Sequence, residues 1–103
     1  MATILITYHS QSGNTEQMAK AVAMGAREIA GTTVIIKRAF DTRVEDLIAC
    51  DGLVIGSPEY FGYMAGAVKD LFDRTYEALR GHQRIFRKPV ALFISAATTE
   101  AEL

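Results

Sequence analysis

Ser10, Ser12, Gly13, Asn14 and Thr15 crowd into six positions, with Gln11 among them. Their hydroxyl and amide groups offer hydrogen-bond donors to one small ligand, and the glycine removes a Cβ that would keep an anion at a distance. Upstream lies the apolar run of residues 3–7. Downstream, Met18, Ala19, Val22, Ala23, Ala26, Ile29 and Ala30 recur at helical spacing. A strand-to-helix turn of this kind lets backbone N–H groups converge on an anion, with a helix-dipole contribution of about 0.3–2 kcal/mol. Phosphate binding is the chemistry it suits. An ordinary capped turn uses the same Ser, Asn and Thr, so these residue types alone leave both readings open.

Two nucleotide patterns narrow the ligand. The Walker loop ends in Gly-Lys-Ser/Thr, a tripeptide this chain lacks. The dinucleotide pattern needs three spaced glycines and an acidic residue after the second strand, whereas here one glycine is present and that strand ends Lys37-Arg38. With no Lys or Arg inside it, the turn fits a terminal phosphate better than a pyrophosphate.

The surrounding pattern predicts strands alternating with helices. Residues 2–8 form a nearly all-apolar first strand, as in a parallel strand covered on both faces. A helix over 14–30 stops at Gly31, and β-branched residues make 32–38 a second strand. Residues 41–50 are a short helix with Val44, Leu47 and Ile48 on one face, and the third strand is 53–56. After an aromatic loop at 57–64, a third helix reaches Arg80 with Val68, Leu71, Phe72, Thr75 and Leu79 as its inner stripe. A polar connector, 82–88, leads to a fourth strand at 89–95. This alternation implies βαβ units and a parallel sheet, with ligands outside the carboxyl ends of the strands. The loops at 8–15, 57–64 and 96–99 should therefore meet at one crevice.

Ser10-Gln11-Ser12-Gly13-Asn14-Thr15 after a strand resembles the FMN-phosphate loop of the flavodoxin-like family. Gly56-Ser57-Pro58-Glu59-Tyr60-Phe61-Gly62-Tyr63-Met64 resembles its flavin-ring loop, in the style of the NAD(P)H-dependent FMN oxidoreductase and quinone reductase branch. The resemblance implies a flavodoxin-like α/β three-layer sandwich with strand order 2-1-3-4, and a single domain over residues 1–103. It also implies FMN as cofactor, NAD(P)H as electron donor, and a quinone or similar small molecule, or a redox partner protein, as acceptor. Ser10, Ser12, Gly13, Asn14 and Thr15 would then hold the phosphate. Ser57, Pro58, Glu59, Tyr60, Phe61, Gly62, Tyr63 and Ala96 would surround the ring. Pro58 stiffens that loop, Gly62 permits close backbone approach, and the aromatics can cover a planar face, each pair worth about 0.5–1.5 kcal/mol. One or two of them could instead plug the core, Phe61 foremost. No side chain stands out as a catalytic acid or base. Two rivals remain: an FMN electron carrier without nicotinamide activity, and a truncated module that has lost the cofactor.

Composition limits the alternatives. Half the residues are hydrophobic and 22% are charged, with a net charge of −1. That gives no case for nucleic acid or an anionic membrane. No run reaches the roughly 18 apolar residues of a membrane span, so a cytoplasmic location is expected. A single cysteine excludes an internal disulfide framework, and Cys50 reads as a packed thiol. His9 and His82 read as structural and solvated, Asp70 and Arg74 as an exposed i,i+4 ion pair, and Arg80, Arg84, Arg87 and Lys88 as a solvated basic face. Lys37 and Arg38 leave a strand's carboxyl end and could meet a dinucleotide phosphate.

Against the family pattern, the fifth strand and last helix are missing. Residues 99–102 read as a capping box without a helix to follow, and residues 96–99 lack the expected glycines. The expectation is an apolar sheet face exposed beside the first helix and an open edge at the fourth strand, with either a chain truncated at its C-terminus or a homo-oligomer that covers them.

Overall fold

A computed structural model describes residues 2–81 and 88–96. Strands β1 (Ala2–Tyr8), β2 (Thr32–Arg38), β3 (Gly52–Tyr60) and β5 (Val90–Ser95) pair in parallel in the order β2-β1-β3-β5. The two-residue β4 (Tyr63–Met64) folds back on the end of β3. The four long strands thus keep the expected 2-1-3-4 order, with the hairpin strand inserted in the numbering.

Side-chain alternation divides the core in two. Ile6 and Tyr8 face α1 (Asn14–Arg27), packing against Ala19 and Ala23. Leu5, Leu53 and Ile55 face the other layer, where α2 (Val44–Ala49) and α3 (Gly66–Leu79) supply Leu47, Ala67, Val68 and Leu71. The result is a helix–sheet–helix sandwich.

Several boundaries differ from the sequence expectation. Helix α1 ends at Arg27 because its last turn tightens: Ile29 N–H reaches the Ala26 carbonyl and Thr32 N–H the Ile29 carbonyl. Its buried stripe is narrow, Thr15, Ala19 and Ala23, leaving Met18, Val22 and Ile29 at least partly outside. A 3₁₀ turn, Ala39–Asp41, replaces the expected start of α2. There the Asp46 carboxylate accepts the Arg43 N–H at 2.9 Å and the Lys37 ammonium at 2.9 Å, so α2 begins only at Val44. Phe72, expected inside, is 39% exposed.

The Asp70–Arg74 pair forms at 2.8 Å, but Arg74 is more than a surface partner. Its guanidinium also donates to the Thr42 carbonyl at 2.6 Å and to the Ala39 carbonyl, fastening the 3₁₀ turn to α3. Cys50 is buried as expected, and its thiol donates to the Leu47 carbonyl at 3.4 Å.

The exposed apolar row lies elsewhere than expected. Val90, Leu92 and Ile94 of β5 pair with Leu53, Ile55 and Ser57, so they stand on the α3 face; Leu92 is 67% and Ile94 64% exposed. Beside α1 the same strand presents Ala91 and Phe93. Period-two alternation is the reason: the large aliphatics occupy the even positions of β5 and the aromatic faces the other way. Among the described residues no helix is long and apolar enough to cross a membrane, and no group of three or more metal-ligating side chains assembles. His82, Arg84 and Arg87, the residues after Ala96 and the capping box at 99–102 lie outside the described residues.

Candidate functional site

β1 ends at Tyr8 and the chain turns into α1 over residues 9–13. Gly13 adopts φ +99°, a left-handed angle open to glycine, and space is free where a Cβ would stand. The Gly13 N–H donates to the Ser10 hydroxyl at 3.0 Å, which folds the loop over. Among the described residues no side chain caps α1. Its first-turn N–H groups are therefore left to an outside acceptor, with the positive end of the helix dipole behind them. An ordinary capped turn would have filled that place.

The second wall is a hairpin rather than a loop. β3 runs on to Tyr60, four residues past its expected end, and Tyr60 pairs with Tyr63 across Phe61 and Gly62. Both turn residues are left-handed, φ +54° and +77°, as a two-residue hairpin turn requires. The Glu59 carboxylate accepts the Gly62 N–H and braces the turn. The Ser57 hydroxyl accepts the Ala65 N–H at 2.9 Å and donates to the Pro58 carbonyl at 2.8 Å, so it fastens the base of the hairpin.

The third wall is the end of β5. Ser95 and Thr15 place their hydroxyls 2.8 Å apart, tying it to the start of α1. Gly56 leaves room for the far end of the Phe93 ring; a Cβ there would stand 2.2 Å from its Cζ.

These walls enclose an open cavity of about 430 Å³ lined by Gln11, Ser12, Asn14, Thr15, Pro58, Glu59, Tyr60, Ser95 and Ala96. The size is that of an ordinary small-molecule site. A smaller cavity of about 230 Å³ adjoins it through Pro58 and Glu59, with Gly62, Tyr63 and Ile94 on its far side. Of the residues expected at the site, Ser12, Asn14, Thr15, Pro58, Glu59, Tyr60 and Ala96 meet in the larger cavity. Ser10 and Gly13 shape its loop from behind. Gly62 and Tyr63 face the smaller cavity, which Ser57 also borders. Phe61 is 98% exposed at the hairpin tip, which excludes a core plug.

Ser95 also lines the cavity without a signal in the sequence, and so does Gln11, which stands in the loop but outside the set expected to hold the phosphate. Arg38 stands beside the first loop: its guanidinium donates to the Ser10 carbonyl at 3.1 Å and lies over the Tyr8 ring at 5.3 Å. Lys37 is turned away, to Asp46. His9 sits edge-on between Phe40 and Tyr60, with ring centroids 6.0 and 6.4 Å away. Burial, and secondly the Arg38 charge, hold its imidazole below the ordinary value of 6.5. Burial raises the Tyr8 hydroxyl, with the nearby Glu16 carboxylate adding to the rise and Arg38 opposing it.

The model of a family described as NADPH-dependent FMN reductase matches residues 3–102. An NAD(P)H dehydrogenase (quinone) of Acidithiobacillus ferrooxidans is 34% identical over 95% of this chain and 58% of its own length. A flavodoxin of Aquifex aeolicus is 40% identical over 71% of this chain and 40% of its own. The chain thus spans roughly half the length of these curated relatives. Among solved structures, a flavodoxin, WrbA-like protein of Agrobacterium tumefaciens aligns with a TM-score of 0.74 and 25% identity, over 97% of this chain and 64% of that one. The shared fold is flavodoxin-like.

Proposed function

The chain belongs to the NADPH-dependent FMN reductase family, and from that premise we propose that it binds FMN in the crevice and passes electrons from NAD(P)H to a quinone or similar small acceptor. The observation that carries this reading is the single cavity shared by the uncapped start of α1, the β3–β4 hairpin and the end of β5. Residues 1–103 are read as one flavodoxin-like domain.

At the phosphate end, the α1 N–H groups and the side chains of Ser12, Asn14 and Thr15 would receive the anion, with Gly13 and Ser10 setting the loop's path. At the ring end, Pro58, Glu59, Tyr60 and Ala96 would line the walls and the exposed aromatics Phe61 and Tyr63 would flank the opening. The flavin, when bound, supplies the hydride and electron chemistry; the chain's own residues bind it, orient it and exclude water. None of them is assigned a proton-transfer role.

Titration of the purified chain with FMN, followed by flavin fluorescence and visible absorption, tests the reading. Saturable quenching is expected, and its absence at high micromolar protein would favour a module without the cofactor. The similarity to flavodoxins supports a second reading, an FMN electron carrier that needs a separate reductase. Oxidation of NADPH or NADH in the presence of a quinone separates the two. The exposed row Val90, Leu92 and Ile94 supports a homo-oligomer, which sedimentation velocity over a concentration series tests.

A further inference from the structure

The first loop carries no Lys or Arg, and α1 opens with an acidic residue, Glu16, in its first turn. A carboxylate so placed opposes any dianion held at the same helix end. We propose that Arg38 is the positioning residue that resolves this conflict, supplying the cradle's counter-charge and fixing its loop. The inference rests on the FMN reading above.

The sheet register brings Arg38 there, since it pairs with Tyr8 at the carboxyl ends of β2 and β1. From that position one arm of its guanidinium donates to the Ser10 carbonyl at 3.1 Å, and the other faces the Glu16 carboxylate at 3.5 Å. The Tyr8 hydroxyl donates to the second Glu16 oxygen at 3.4 Å, and the Lys20 ammonium stands 3.8 Å from it. Glu16 is thereby held on the β2 side of the loop and takes no part in lining the cavity. The Ser10 bond acts further inward. Its hydroxyl accepts the Gly13 N–H, so the guanidinium that grips the Ser10 carbonyl also steadies the left-handed turn opening α1. Charge neutralisation and loop placement thus come from one side chain that does not touch the ligand.

FMN and riboflavin differ by the phosphate, so the ratio of their dissociation constants isolates this end of the site. Fluorescence-quenching titrations with both, on the purified chain and on Arg38→Met, Glu16→Gln and the double variant, test the proposal. Arg38→Met should weaken FMN about ten- to a hundredfold while riboflavin changes less than about twofold. Glu16→Gln should strengthen FMN about threefold or more, and the double variant should recover the part of the loss due to charge, leaving the part due to the lost bond to Ser10. An unchanged FMN-to-riboflavin ratio in Arg38→Met, or in Glu16→Gln, would overturn the proposal. Should Arg38→Met fail to fold, the Glu16→Gln ratio decides alone. Equal affinity for the two flavins in the unmodified chain would instead overturn the phosphate cradle itself.

Discussion

The Thr15 and Ser95 hydroxyls, 2.8 Å apart, join the first turn of α1 to the last residue of β5 across 80 positions of sequence. Thr15 is 2% exposed, so the pair is a tie between two walls of the crevice rather than a surface contact. Thr15→Val keeps the shape and removes the hydroxyl, leaving Ser95 without this partner. The expected cost is about 1–2 kcal/mol, read as a lower urea midpoint. Thr15→Ser, which keeps the hydroxyl, should stay close to the unmodified chain. Equal midpoints for the Val and Ser variants would show that the tie is dispensable.

Gly56 is needed for space, not for backbone freedom. The Phe93 ring occupies the place of its missing side chain, with ring atoms 2.2–2.7 Å from where a Cβ would lie. Gly56→Ala must push that ring off β3, at a cost of about 1–3 kcal/mol. Phe93→Leu should recover part of that loss in the double variant, since it removes the clashing ring and keeps apolar bulk. If Gly56→Ala unfolds at the same denaturant concentration as the unmodified chain, the ring has room to move.

Phe61 holds a left-handed backbone, φ +54°, with its side chain almost wholly exposed. That conformation costs an L-residue about 1–2 kcal/mol, and no buried packing offsets it. Phe61→Asn should therefore raise stability by about 1 kcal/mol, since Asn tolerates this region and suits the turn before Gly62. If the aromatic is retained for ligand coverage, the same variant should bind FMN more weakly. A stable variant with unchanged FMN affinity would remove Phe61 from the site.

The parts of this fold legible in the sequence are those set by local chemistry. β1 and β2 have their expected bounds because each is built on a run of apolar and β-branched residues, β2 with the charged exit Lys37-Arg38. The extension of β3 to Tyr60 was hidden by Ser57-Pro58-Glu59, which reads as a turn because proline cannot donate to a ladder. In the sheet Pro58 lies two residues beyond the last β1–β3 pair, Tyr8 with Gly56, and the alternation of backbone groups turns its nitrogen to that side, where no ladder bond is due, while β5 continues alongside with Ser95. The phosphate loop was legible in its glycine and hydroxyls. Its neighbour Ser95 was not, and Arg38 was legible only as a cation at a strand's carboxyl end, because its grip on Ser10 depends on register between strands distant in sequence. The depth of the α1 stripe is likewise set by packing that the spacing does not show. Helical spacing marks a face, but the alanines Ala19 and Ala23 let the helix approach so that only the middle of that face is covered.

His9 makes stability depend on pH in a window of its own. Its folded-state value lies below 6.5, first because burial disfavours the imidazolium and then because Arg38 repels it. The folded chain thus keeps His9 neutral at pH values where the unfolded chain protonates it. Stability is full above about 6.5 and declines as pH falls from there toward the folded value, below which this contribution is flat. The Asp46 carboxyl acts lower down. Burial alone would raise it, but hydrogen bonds from the Lys37 ammonium and the Arg43 N–H bring it below 3.8, so its contribution is present above that value and lost as pH falls beneath it. The two windows are separate. Urea unfolding between pH 8 and 5 should show a falling midpoint in the unmodified chain and a flatter profile in His9→Gln. Parallel profiles would mean that the imidazole takes up its proton equally in both states, and that its place between Phe40 and Tyr60 does not disfavour the charge.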